Sequence, residues 1–273
     1  MIRIVVLLFA LAAANALGQA PPAAEEAHLS HGSQLLQQQL YEEAAKEFEE
    51  AVAQDPKDPR AHMQLGVALM SLGRDDEARK QFEQVHVQGA ASRYVTYYLG
   101  RLDLLANDYP SAIGKLSSIA ENPPFPDTVF FLGVAYTSNG NTAAGLKWLE
   151  QAAKRMPRDY RVHYRLARAY SSAGREKDAS REYALYSQLR DAHKNTETAA
   201  RDCTAALRSG PPATAFAVCH RMYDPNDPDK LTLLGQLFGD AGDYADALQP
   251  LQRAVQLDPG SFEAWHNGQA DPR

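Results

Sequence analysis

Cysteine is nearly absent from this chain: Cys203 and Cys219 are the only two in 273 residues, and they form no Cys-x-x-Cys pair. Also missing are a His-Glu-x-x-His helix, a Gly-rich phosphate loop and a Gly-x-Ser-x-Gly elbow. These are the spacings with which zinc hydrolases, nucleotide-binding enzymes and serine hydrolases assemble their chemistry. No residue therefore takes a catalytic role, and neither a metal nor a cofactor is expected. A surplus of positive charge is lacking too, since 28 Lys and Arg against 34 Asp and Glu leave a formal charge of -6. Nucleic acid, which wants a basic surface, is excluded as a partner. Strand-like alternation is sustained nowhere, so the fold class is all-α.

Long apolar runs are also scarce. The one present, Ile4 to Ala14, follows Arg3 and ends in small residues that offer cleavage at Ala14-Asn15-Ala16 or Ala16-Leu17-Gly18. That order of charge, apolar stretch and small residues is a secretory leader. A membrane anchor would need roughly 20 apolar residues, and this run breaks at Asn15, Gly18, Gln19 and Pro21-Pro22. Residues 1–18 are read as a signal peptide and 19–27 as a disordered Ala, Pro and Glu-rich linker. The mature chain is expected in the periplasm or outside the cell, with no stable membrane span after cleavage.

What is abundant is a repeat. An alanine stands four residues before an aromatic at Ala44 and Phe48, Ala78 and Phe82, and Ala179 and Tyr183; Ala112 and Leu116, Gly145 and Leu149, and Ala247 and Leu251 are weaker versions. Twelve residues upstream of each small residue stands another: Gly32, Gly66, Gly100, Gly133, Ala167 and Gly235. Prolines fall twelve residues downstream at Pro56, Pro124, Pro157 and Pro259. The phase advances by 34 residues with a single step of 33, so repeats begin near Glu25, Pro59, Arg93, Pro126, Tyr160, Lys194 and Pro228, with a partial one at Phe262.

Length and pattern together resemble the tetratricopeptide repeat family, in which each unit is a pair of helices, A and B. The resemblance covers residues 28–273 and implies an α-solenoid of about seven helix pairs plus a partial C-terminal helix. Small residues at the eighth and twentieth positions let the two helices approach. Gly73, Gly140, Gly174 and Gly242 fall at the turns between them, where positive φ is cheap for glycine. His28, His62 and His163 share the fourth position, where Trp265 stands in the last unit, and are read as packing residues.

The Lys194 unit departs from the pattern. Arg201 replaces its first small residue, and no Gly or Pro occurs from Glu176 to Ser209, so helix B of the fifth repeat is expected to run on to Gly210-Pro211-Pro212. Cys203 and Cys219 each lie eight residues from Pro211. In an antiparallel hairpin such positions face each other, and in an exported protein a disulfide is the leading reading over two buried thiols.

The resemblance also implies a binding face, because helix A lines the concave side of such arrays. Its second, fifth, ninth and twelfth positions give Tyr94, Tyr97, Arg101 and Leu104, then Phe130 and Val134, then Arg161, Tyr164 and Arg168. Aromatics and arginine are the side chains most enriched at interface hot spots. The function expected is a non-catalytic scaffold of the cell envelope that holds an extended protein segment or an assembly subunit. The alternative is a glycan-binding or enzyme-associated module using the same aromatics. The C-terminal edge at Phe262 and Trp265, weakened by Gly268 and stopped at Asp271-Pro272, is expected to contact a second copy or a partner subunit.

Overall fold

The computed structural model describes residues 23–258. The leader and the edge at Phe262 and Trp265 lie outside the described residues. Thirteen α-helices follow one another: α1 (Ala23–Gln37), α2 (Tyr41–Gln54), α3 (Pro59–Ser71), α4 (Asp75–Gln84), α5 (Ser92–Leu105), α6 (Tyr109–Ile119), α7 (Thr128–Ser138), α8 (Thr142–Arg155), α9 (Tyr160–Ser172), α10 (Glu176–Ser209), α11 (Pro212–Cys219), α12 (Pro228–Asp240) and α13 (Tyr244–Leu257). No strand occurs among the described residues, and no helix there is long and apolar enough to cross a membrane. The chain divides into two compact units, residues 1–182 and 183–273, with the division inside α10.

The expected linker is corrected at its end, because α1 already begins at Ala23. The run Ala-Ala-Glu-Glu-Ala favours helix, and Glu25 and Glu26 in the first turn suit its dipole. Glu25 is fully buried. Burial first, and the neighbouring Asp58 second, push its carboxyl up to about 8.

Close approach within each pair depends on the glycines of the eighth position. A methyl group on Gly66 would stand 2.6 Å from Phe82 of α4, and one on Gly32 the same distance from Phe48 of α2. At Gly133 it would meet Leu149 at 2.8 Å, and at Gly235 it would meet Leu251 at 2.4 Å. Phe48, Phe82, Leu149 and Leu251 are thereby driven into the cores. The turn glycines 73, 140, 174 and 242 do take positive φ, between 72° and 83°. Repeats one and three use Gln39 and Asn107 in the same conformation, at 60° and 61°.

The histidines of the fourth position pack as expected and also lock the pair. His62 Nδ1 is 2.7 Å from Gln81 of α4 and its Nε2 is 3.0 Å from the carbonyl of Pro56. His163 repeats this with Glu182 of α10 and the Pro157 carbonyl at the same two distances. Each ring thus ties helix A to its own helix B and to the proline turn before it. His28 bonds Glu47 of α2 at 2.7 Å, and His31 reaches the other oxygen of the same carboxylate at 3.0 Å. That carboxylate, distant in sequence, takes up both imidazoles. Between the second and third repeats, buried Asp103 of α5 holds Arg79 of α4 at 2.8 Å and Lys115 of α6 at 2.6 Å.

The long helix is a single α10 of 34 residues, which begins in the first unit and runs on into the second. Its end is tied to the end of α11 by a disulfide between Cys203 and Cys219, both fully buried. The bonded pair packs with Met222, Leu234, Phe238, Ala247 and Leu251 in that unit's core. On α13, Leu248 is 46% exposed, whereas Ala45 of α2 and Leu146 of α8, at the same repeat position, are buried.

Candidate partner-binding surface

The residues expected on the binding face come from α5, α7 and α9, which are consecutive A helices of the first unit. Amphipathic spacing decides what each presents. On α9 the buried set is Val162, His163, Leu166, Ala167, Ala169 and Tyr170. The opposite stripe therefore runs Arg161, Tyr164, Arg165 and Arg168, one helical face by its three- and four-residue steps. Tyr164 and Arg168 are exposed, and Arg161 is half-buried.

The aromatics behave differently from the expectation. Tyr97, Phe130 and Val134 are buried, at 3%, 5% and 6% exposure, and so build the wall without presenting much of themselves. Phe130 and Val134 belong to the core shared with Val162 and Leu166, whereas Tyr97 is covered by Phe125, in the Pro-Pro-Phe-Pro loop before α7. Its ring lies 4.5 Å from that of Tyr97 and meets Tyr94 edge-on at 5.4 Å. Tyr97 also meets Tyr98 and Phe131. Tyr94 and Leu104 remain half-buried at the rim. Phe125 and Phe131 were not singled out from the sequence; an aromatic fixed between prolines at a helix entrance is the signal that marks Phe125.

Arginines sit over this wall. The Arg101 guanidinium lies 4.8 Å from the Phe131 ring centre and 5.5 Å from that of Tyr97. Arg161 lies 5.9 Å from Phe130, and Arg168 lies 5.9 Å from Tyr164. A cation held over a ring face is attracted by the ring quadrupole and stays positioned without an acidic partner. Arg161 has such a partner in Asp159, which it bonds through Nε at 2.9 Å. Arg101, Arg165 and Arg168 have no carboxylate within ion-pair reach among the described residues. Between Lys147 and Arg175 the chain carries eight Lys or Arg and only two acids, Glu150 and Asp159. Local charge is thus strongly positive in an acidic protein.

Beside this wall the Tyr97 hydroxyl donates to Asp127 Oδ1 at 2.8 Å. Burial, and then the Asp127 charge, push the Tyr97 hydroxyl well above the usual tyrosine range, so it keeps its proton and donates. Burial likewise raises the Asp127 carboxyl, against the opposing pull of the Tyr97 hydrogen bond and of Arg101 and Arg161. Nothing in the arrangement pairs a nucleophile with a base. No group of three or more His, Cys, Asp or Glu side chains able to hold a metal occurs among the described residues.

Comparison with known proteins bears on the scaffold. One tetratricopeptide repeat family model matches residues 29–95 and 187–262, more than half of the chain, and a second matches 137–193. The PEX5-related protein of Homo sapiens is 22% identical over 162 residues, which is 55% of this chain but 26% of that protein, so the match spans about a quarter of the relative. Among solved structures, MamA from Desulfovibrio magneticus superposes with a TM-score of 0.56 at 21% identity, covering 63% of this chain and 98% of that one. PilF of Pseudomonas aeruginosa gives 0.53 at 17% identity, covering 89% and 96%. At such identities the likeness is one of fold. With the 34-residue period, the glycine-spaced helix pairs and the matching family models in agreement, the chain belongs to the tetratricopeptide repeat family.

Proposed function

We propose that this chain is a non-catalytic scaffold of the cell envelope, binding an extended, carboxylate-bearing protein segment on the A-helix face of α5, α7 and α9. The observation that carries this reading is the set Arg101, Arg165 and Arg168: cations without acidic partners, two of them laid over rings. Guanidinium forks match carboxylates bidentately, and rings that hold them in place reduce the ordering cost of binding. A rigid helical array adds to that preorganisation. The apolar leader and the disulfide both support an exported location, since such bonds persist in oxidising compartments.

The glycan reading finds less support. Sugar hydroxyls want carboxylates presented beside the aromatics, and the acid here, Asp127, is turned toward Tyr97. Replacing Arg101 and Arg168 together with Glu should abolish capture of acidic partner proteins from an envelope extract, with helical circular dichroism and melting temperature unchanged. Retained capture by the double variant would move the site elsewhere. Tyr97→Ala is unsuitable for this purpose, because that ring is part of the core. A second contact, self-association, is proposed at the C-terminal edge, where Tyr244, Leu248 and Leu257 of α13 are exposed. Light scattering that stays monomeric across a concentration series would remove it.

A further inference from the structure

Asp127 is anomalous among the Asp and Asn residues that begin helices. Asp58, Asp108, Asn141, Asp159, Asp227 and Asp243 each turn a side-chain oxygen onto backbone N–H groups of the helix they start. That is the ordinary work of an N-cap. Asp127 occupies the same place before α7 and makes no such bond. Its backbone is already helical, at φ -82° and ψ -3°. Thr128, the first residue of α7, donates its hydroxyl to the Phe125 carbonyl at 2.8 Å, so no side chain caps the N–H groups of this helix. The carboxylate is left to reach across to α5 and the Tyr97 hydroxyl.

Its charged surroundings are mixed. Arg101 and Tyr97 face it from α5, with Tyr98 behind, and Arg161 and Asp159 face it from the start of α9. The two guanidiniums act on it through space, since it forms no ion pair within reach among the described residues. Arg101 is committed to the Phe131 and Tyr97 rings, and Arg161 to Asp159. The arginine surface thus carries at its base a carboxylate of the chain's own.

We infer that Asp127 is the specificity-determining residue of this surface, an internal carboxylate that competes electrostatically with those of a bound segment and so sets how acidic a partner is accepted. The inference rests on the proposed function. A partner carboxylate approaching Arg101 meets repulsion from Asp127, only partly screened because Asp127 and Arg101 are half-buried. Weakly acidic segments gain too little from the arginines to overcome it, and densely acidic ones succeed. A purely structural Asp127, serving only as the Tyr97 acceptor, would have no such effect. Asparagine separates the two roles, because its Oδ1 still accepts from Tyr97 while the charge is gone.

The test uses the mature chain and two labelled peptides, one of alternating Glu and Leu and one of alternating Gln and Leu, read by fluorescence polarisation. Asp127→Asn should bind the Glu peptide roughly three- to tenfold more tightly than wild type, the scale of one like charge removed from an interface. Affinity for the Gln peptide should stay unchanged, and Asp127→Glu, which keeps the charge, should track wild type on both. Unaltered Glu-peptide affinity in Asp127→Asn, while the Arg101→Glu/Arg168→Glu chain loses binding, would overturn the inference and leave the site standing. Equal tightening by Asp127→Glu and Asp127→Asn would overturn it as well, by assigning the effect to shape. Undiminished binding in the double arginine variant would overturn the site itself and this inference with it.

Discussion

The second repeat and the α10–α11 hairpin bring two helices together by different means. In the second repeat Gly66 offers no side chain, Phe82 fills the space at 2.6 Å from where a methyl would stand, and His62 bonds across to Gln81. Arg201, Ala213 and Ala217 hold the corresponding positions in the Lys194 unit. There is no notch for a ring and no ring to fill one. α11 is only 8 residues long, and its Phe216 is 41% exposed. What joins this pair is Cys203, two positions beyond Arg201, bonded to Cys219 two positions beyond Ala217. Packing closes the pair where sequence supplies complementary shapes, and a covalent bond takes over where it does not. The regular pairs close without a covalent bond, whereas the hairpin carries a bond of the kind that persists in oxidising compartments.

The largest effect expected from breaking this comparison is on the hairpin. Replacing Cys203 and Cys219 with Ser releases a loop of sequence separation 16, worth about 3 kcal/mol in the chain-entropy account. A melting curve should then show a separate, earlier transition for the second unit, with the first unit's transition unmoved. Peptide binding should survive, because every residue of the arginine surface lies before residue 183. A single unshifted transition would mean that the disulfide adds nothing to the packing.

A smaller effect is expected at the notch. Gly66→Ala puts a methyl into the Phe82 ring and should cost about 2 kcal/mol, within the usual range for overpacking a well-filled core. The same change at Gly114 on α6, where nothing lies within 4 Å, should be neutral or slightly stabilising, since alanine favours helix. Chemical denaturation of the two variants side by side measures the difference. Equal stability would show that Phe82 can swing aside, and that the glycine positions are less strict than their spacing suggests.

The helix pairs, their order, the long α10 and the pairing of the two cysteines were legible from the amino-acid order alone. These follow from local properties: the absence of a side chain at Gly32, Gly66, Gly100, Gly133 and Gly235, the turn glycines, and the lack of any helix breaker from Glu176 to Ser209. Periodicity names the face on which a residue lies, so Arg161, Tyr164 and Arg168 were legible together. It does not say how deeply a neighbouring segment covers that face. Contacts between distant elements made Phe125 close over Tyr97, buried Phe130 and Val134, and brought Glu47 to both His28 and His31. They also decided where the Asp127 carboxylate turns. In sequence this is one more acid at a helix start, with nothing local to distinguish it from Asp58 or Asp159. Its diversion to Tyr97 depends on a hydroxyl thirty residues earlier in the chain, a choice made between elements by burial and hydrogen bonding.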